Sequence, residues 1–124
     1  MPALKPVPKN YVRRIMVADH KNFSLAEVTL RAPVPGPFEF FAEGRPYVVL
    51  DEVYTEPKHR GQGLSPACLE LAKAICRESG WSILCRPQAH KSKMGQAKLV
   101  AFYRKHGWGR LVKDYPTWLA WPPA

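Results

Sequence analysis

The chain has 124 residues, 46% hydrophobic and 23% charged, which suits one folded domain over residues 1–124 and excludes wholesale disorder, a collagen repeat or a disulfide scaffold. Its net charge of +9 favours anionic partners: nucleic acid, an anionic membrane face or a phosphorylated cofactor. No apolar run reaches the roughly 18 residues of a membrane span, and Met1-Pro2-Ala3-Leu4-Lys5-Pro6 lacks a signal-peptide core, so a cytoplasmic protein without membrane contact is expected.

Tyr11 to Ala18, rich in Val and Ile, reads as a strand ended by the turn-forming Asp19-His20-Lys21-Asn22. Phe23 to Arg31 admits two readings. Ser24 with Glu27 fits a helix capping box, whereas Val28-Thr29-Leu30 suits a strand, and the strand is favoured. Phe38 to Ala42 and Pro46 to Thr55 are two further strands joined by Ala42-Glu43-Gly44-Arg45, and Tyr47-Val48-Val49-Leu50 marks the second as central. Side-chain alternation then groups Asp51, Val53 and Thr55 on one face and Glu52, Tyr54 and Glu56 on the other.

From Ser65 the pattern becomes helical. Ser65 is expected as N-cap and Pro66 as first helical residue; Leu64, Cys68, Leu71, Ala72, Ile75 and Cys76 form a stripe, and Gly80 closes it. A short buried strand, Trp81 to Arg86, leads through the polar loop 87–95 into a second helix, Gln96 to His106, with Leu99, Phe102 and Tyr103 as its stripe and Gly107 at its end. Trp108 to Val112 and Thr117 to Trp121 are the last strands. The fold class expected is α/β (α+β): a single mixed, mostly antiparallel sheet with splayed central strands and helices on its faces.

Cys68, Cys76 and Cys85 have neither CxxC nor Cys/His ligand spacing, so they read as reduced packing residues and no metal site is expected. Charge is divided along the chain. Arg86 to Lys113 carries only cations, whereas Glu39, Glu43, Asp51, Glu52 and Glu56 cluster upstream around Arg45 alone.

Between the central strand and the first helix lies Pro57-Lys58-His59-Arg60-Gly61-Gln62-Gly63-Leu64-Ser65. Two glycines one residue apart allow a tight turn and close backbone approach, and the following helix offers unpaired N–H groups and the positive end of its dipole. Together these make an anion seat, with Lys58 and Arg60 beside it. Neither the GxxxxGK[ST] nor the GxGxxG spacing of nucleotide and dinucleotide loops is present.

The run from Val53 to Leu64 resembles the signature of the GNAT superfamily of acetyl-CoA-dependent N-acetyltransferases, with Lys58, Gly61 and Gly63 at its phosphate-loop spacing and Lys58 in place of the usual Gln or Arg. Ala101-Phe102-Tyr103-Arg104-Lys105-His106-Gly107-Trp108 is similar to the family's later helix, ending in Tyr and followed by Gly and an aromatic. Gln96, seven residues before that Tyr, stands where many members have Asn. The resemblance covers residues 46–112.

It implies acetyl-CoA as acyl donor. The amides from Arg60 through Gly61, Gln62, Gly63 and Leu64 to Ser65, with Lys58 and His59, would hold its pyrophosphate; the edge of Val53, Tyr54 and Thr55 would pair with the pantetheine amides; and Gln96 and Tyr103 would complete the site. A main-chain N–H near Val53 or Tyr54 would polarise the carbonyl, and Tyr103 would protonate the departing thiolate. Glu52 is the favoured general base, with Asp51, His59 and His90 as alternatives. Compared with the family, this is a short chain with a reduced N-terminal region: the stretch before Phe38 leaves little room for two acceptor-side helices. An acceptor side open to a peptide or protein, or completed by a second subunit in a homodimer, follows from that shortness.

The leading function is therefore transfer of acetyl from acetyl-CoA to a primary amine, on a peptide, a protein or a small cationic molecule, by direct attack in a ternary complex. The competing readings are a non-catalytic module binding nucleic acid or a protein through the basic C-terminal half, where Trp108, Trp118 and Trp121 would stack on bases, and an inhibitor or host-factor binder on the same scaffold.

Overall fold

A computed structural model describes residues 5–32, 46–55, 58, 61–87, 95–110 and 118–122; at 52, 54, 55 and 110 it describes the backbone alone. The elements are β1 (Val12–Ala18), β2 (Ser24–Arg31), β3 (Tyr47–Thr55), α1 (Leu64–Ser79), β4 (Ser82–Cys85), α2 (Gln96–Lys105), β5 (Gly109–Arg110) and β6 (Leu119–Trp121). They form one mixed sheet ordered β1-β2-β3-β4-β6-β5. The β3–β4 ladder is parallel and every other ladder is antiparallel. The expected strand over Phe38 to Ala42 and most of the loop 87–95 lie outside the described residues.

Residues 24–31 form a strand. Val28 and Leu30 are wholly buried on one face, and Glu27, the would-be capping residue, instead bonds Arg14 across the β1–β2 pair. Burial outweighs the local helix signal here, because a β-branched, half-buried surface fits a sheet better than a short exposed helix.

The larger core cluster joins Ile15, Val28, Leu30, Val48, Leu50, Ile83, Cys85 and Leu119 of the sheet to Cys68, Leu69, Ala72 and Cys76 of α1 and Tyr103 of α2. The described residues of both helices thus pack into one cluster. Tyr47, Leu84 and Ala120, with Val49 and Trp118, form a second cluster from the alternate positions of the same strands. Complete burial of a side chain such as Leu69 contributes about 2 kcal/mol by transfer from water.

α1 begins two residues earlier than an N-cap at Ser65 would place it. Gly63, in the left-handed conformation, is the N-cap, the Ala67 N–H makes the first helical bond to the Gly63 carbonyl at 3.2 Å, and Ser65 falls inside the first turn. Pro66 is tolerated there because the first-turn N–H it lacks has no intrahelical partner anyway. At the other end Gly80 donates to Arg77 and Trp81 to Cys76, a Schellman closure that takes Trp81 out of the following strand. The Trp81 indole instead donates to the Lys5 carbonyl at 2.6 Å, tying the N-terminal segment to the end of α1.

Candidate functional site

The β3–β4 ladder runs from Tyr47↔Ser82 to Leu50↔Cys85, where β4 ends. β3 continues through Asp51–Thr55 with no β4 partner, so this stretch keeps backbone groups on its β4 side that the described ladder does not use. The β3–β4 ladder stops at this rung, where β4 ends.

On its other side β3 carries a bulge. Thr29 pairs with Glu52 and Leu30 with Leu50, which leaves Asp51 as the extra residue. The bulge shifts the phase of alternation: Val53 joins Val48 and Leu50 against the larger core cluster. The expected grouping of Asp51 with Val53 is thereby broken. Asp51 is exposed and ion-paired with Arg31, Nε to Oδ2 at 2.5 Å. Glu52 sits opposite Thr29 in the register, and of Glu52, Tyr54 and Thr55 only the backbone is described.

The turn into α1 has Gly61 at φ 83° and Gly63 at φ 75°, a region that strains residues with a Cβ. Among the described residues a Cβ at either position would meet nothing within 4 Å, so the glycines serve backbone conformation and open approach, not packing against them. Among the described residues, no backbone carbonyl accepts the N–H of Gly61, Gly63 or Leu64. The first turn of α1 carries no acid, and Lys58 is exposed nearby in the chain. An anion meets amide donors, the helix dipole and open space together. Gln62 is exposed and Leu64 and Ser65 half-buried, whereas His59, Arg60 and His90 lie outside the described residues.

α2 supplies the third part. Tyr103 is 7% exposed, and burial, with a smaller contribution from neighbouring Cys85, pushes its phenol well above the usual value. Its ring meets Trp108 edge-on at 5.9 Å. Tyr103 belongs to the same buried cluster as Cys85, the β4 residue of the last β3–β4 rung. Gln96 Nε2 donates to the Pro87 carbonyl at 3.2 Å, tethering the start of α2 to the chain just beyond β4. The glycine turn follows β3 in the chain, β3 outruns β4 beyond Cys85, and Tyr103 is buried in the same core cluster as Cys85.

Two side chains that sequence reasoning passed over bear on this region. Arg31 neutralises Asp51, and opposite charges on two predicted neighbouring strands were the available signal. Lys73 is buried on α1, and its spacing from Leu69 and Cys76 places it on the inward stripe. Of the tryptophans offered for base stacking, Trp108 is 2% exposed and Trp121 packs near it at 6.5 Å, so both are engaged inside the fold. Among the described residues no group of His, Cys, Asp and Glu could hold a metal ion, and no helix is long and apolar enough to cross a membrane.

No family model and no curated protein matches the sequence. Solved structures do match. The anti-CRISPR protein AcrVA5 superposes with a TM-score of 0.66 at 16% identity, covering 89% of this chain and 97% of its own. An acetyltransferase from Bacillus cereus ATCC 14579 gives 0.63 at 19% identity, covering 90% and 73%. The GNAT family N-acetyltransferase YhbS from Escherichia coli, in complex with CoA, gives 0.58 at 15% identity, covering 85% of this chain and 55% of its own.

Proposed function

We propose that this chain, which has the fold of the GNAT acetyltransferases, binds acetyl-CoA and transfers the acetyl group to a primary amine by direct attack in a ternary complex. The observation that supports the reading is the open, left-handed glycine turn leading from β3 into α1; the continuation of β3 past the end of its β4 ladder and the buried phenol of Tyr103 agree with it. The bound thioester supplies an activated acyl group with a thiolate leaving group.

The amides from Arg60 to Ser65, with Lys58 and His59 beside them, hold the pyrophosphate. The free edge of Val53, Tyr54 and Thr55 pairs with the pantetheine amides, and a main-chain N–H near Val53 or Tyr54 polarises the carbonyl. Gln96 fixes the start of α2 against the end of β4. Tyr103, kept neutral by burial, holds the proton that the leaving sulfur needs. Glu52 is the base that relieves the amine of its proton. It is favoured over Asp51 because the Asp51 carboxylate is already paired with Arg31. The acceptor is an amine on a peptide, a protein or a small cationic molecule.

The nucleic-acid reading retains an exposed cationic face on α2, with Lys98, Arg104 and Lys105, but loses Trp108 and Trp121 as stacking platforms. Calorimetric titration with CoA and with 3′,5′-ADP, which carries the 3′-phosphate and one phosphate of the pyrophosphate without pantetheine, tests the reading. Saturable binding of both is expected, with acetyl incorporation into lysine-bearing peptides read by mass spectrometry. Absence of CoA binding, alongside salt-sensitive binding of single-stranded RNA, would replace transfer with the binding-module alternative.

A further inference from the structure

Lys73 lies between Ala72 and Cys76 on the inward side of α1, with its side chain only 9% exposed. Lysine is almost never buried unless paired, because removing an ammonium from water is costly. This one has three partners. Its Nζ donates to the His106 carbonyl at 2.6 Å, meets Glu70 Oε1 at 2.6 Å, and lies 5.7 Å from the centroid of the Trp108 ring. Glu70 is 61% exposed, so the inward-facing contacts are the His106 carbonyl and Trp108.

Both contacts are one step from Tyr103. His106 caps α2, and its N–H bonds back to Phe102 and Tyr103 at 3.3 and 3.0 Å. The Trp108 N–H donates to the Tyr103 carbonyl at 3.1 Å, and the Trp108 ring packs edge-on against the Tyr103 ring. The turn between them is tight: a Cβ on Gly107 would come within 3.1 Å of Trp121 Cδ1 and 3.6 Å of Lys73 Nζ. An apolar residue in place of Lys73 would fill the space, and such replacements of buried charge are often neutral for stability. A cationic donor suits the carbonyl at the negative end of the helix, and an apolar residue cannot donate to it.

We infer that Lys73 is a positioning residue for acyl transfer: by clamping the His106 carbonyl and the face of Trp108, it sets where the Tyr103 hydroxyl stands relative to the leaving sulfur. The inference rests on the acetyl-CoA reading above and adds to it a determinant on a different helix from the acid.

The test compares binding of CoA and desulfo-CoA, with 3′,5′-ADP as reference, at about pH 9, above the ordinary thiol pKa of about 8.5. The wild type is expected to favour CoA, because a phenol donating to a thiolate is a charge-assisted bond. Lys73→Met should shrink that preference about tenfold, as Tyr103→Phe does, while leaving 3′,5′-ADP affinity at the wild-type value. Lys73→Arg should restore it, and Glu70→Gln should keep it. Should the Met variant fail to fold, Lys73→Gln, which lacks the charge, is expected to give the same fall. A wild-type preference in folded Met or Gln variants, or an equal loss in Glu70→Gln, would overturn the inference alone. So would a parallel loss of 3′,5′-ADP affinity, which marks general damage. Failure of the wild type to bind either CoA or 3′,5′-ADP would overturn the acyl-transfer reading beneath it.

Discussion

Leu50 and Cys85 face each other at the last rung of the β3–β4 ladder, and Tyr103 stands close enough to Cys85 for the thiol to add to the upward push on its phenol. One residue beyond that rung β3 bulges at Asp51. The end of the parallel ladder and the bulge at Asp51 thus adjoin, and on the proposed function an extended ligand would pair with β3 beyond them without breaking a formed ladder.

Replacing Tyr103 by Phe removes the hydroxyl and keeps the ring against Trp108, so the fold should persist. On the proposed mechanism kcat falls about 100-fold, the low end of what a positioned general acid contributes. Because burial raises the phenol's pKa, the group stays protonated as pH rises past the ordinary tyrosine value of about 10. Wild-type kcat should therefore show no loss from phenol ionisation in that range. Steady-state kinetics across the alkaline range check both points, and an unchanged kcat in the variant would remove Tyr103 from the chemistry.

Gly61→Ala and Gly63→Ala separate backbone strain from crowding. Neither new methyl group meets an atom of the described residues within 4 Å, so each substitution should destabilise the fold by only about 1 kcal/mol through its positive φ. CoA affinity should fall by considerably more than that, because the methyl enters the space from which the ligand approaches. Thermal unfolding and calorimetry on the same samples read the two effects independently; equal losses in both would assign the glycines to folding alone.

The parts of this arrangement written in short local patterns were legible in the sequence. The Gly80 stop and the strand–turn–helix order around Gly61 and Gly63 depend on near neighbours and are present, whereas the expected α1 stripe holds at Cys68, Ala72 and Cys76 but not at Leu71, which is 51% exposed while Leu69 is buried in its stead. The bulge was not legible, because an extra residue exists only relative to a partner strand, and alternation along β3 cannot show that Thr29 and Leu30 skip Asp51. Ser65 and Pro66 misled for a related reason: both favour a helix start, but the left-handed Gly63 turn begins α1 earlier, and Pro66 is harmless inside the first turn. Lys73 was hidden by residue type. A lysine on an inward stripe reads as a flaw in the pattern until its acceptor, a carbonyl at the end of another helix, is in view.

The Glu70–Lys73 pair makes a prediction about acid stability. The bond from Lys73 is the main cause holding the Glu70 carboxyl below the usual glutamate range. The unfolded chain therefore binds a proton at Glu70 at a higher pH than the folded one does. The stabilisation is complete above the ordinary glutamate pKa and is lost as pH falls through the folded value. Since Glu70 is largely exposed, solvent screening limits the contribution to about 0.5 kcal/mol. In a domain of this size that corresponds to about 2 °C in Tm. Glu70→Gln should melt about that much lower than wild type at neutral pH and converge with it in acid. A difference that persists unchanged to low pH would show that the glutamate acts through something other than its charge.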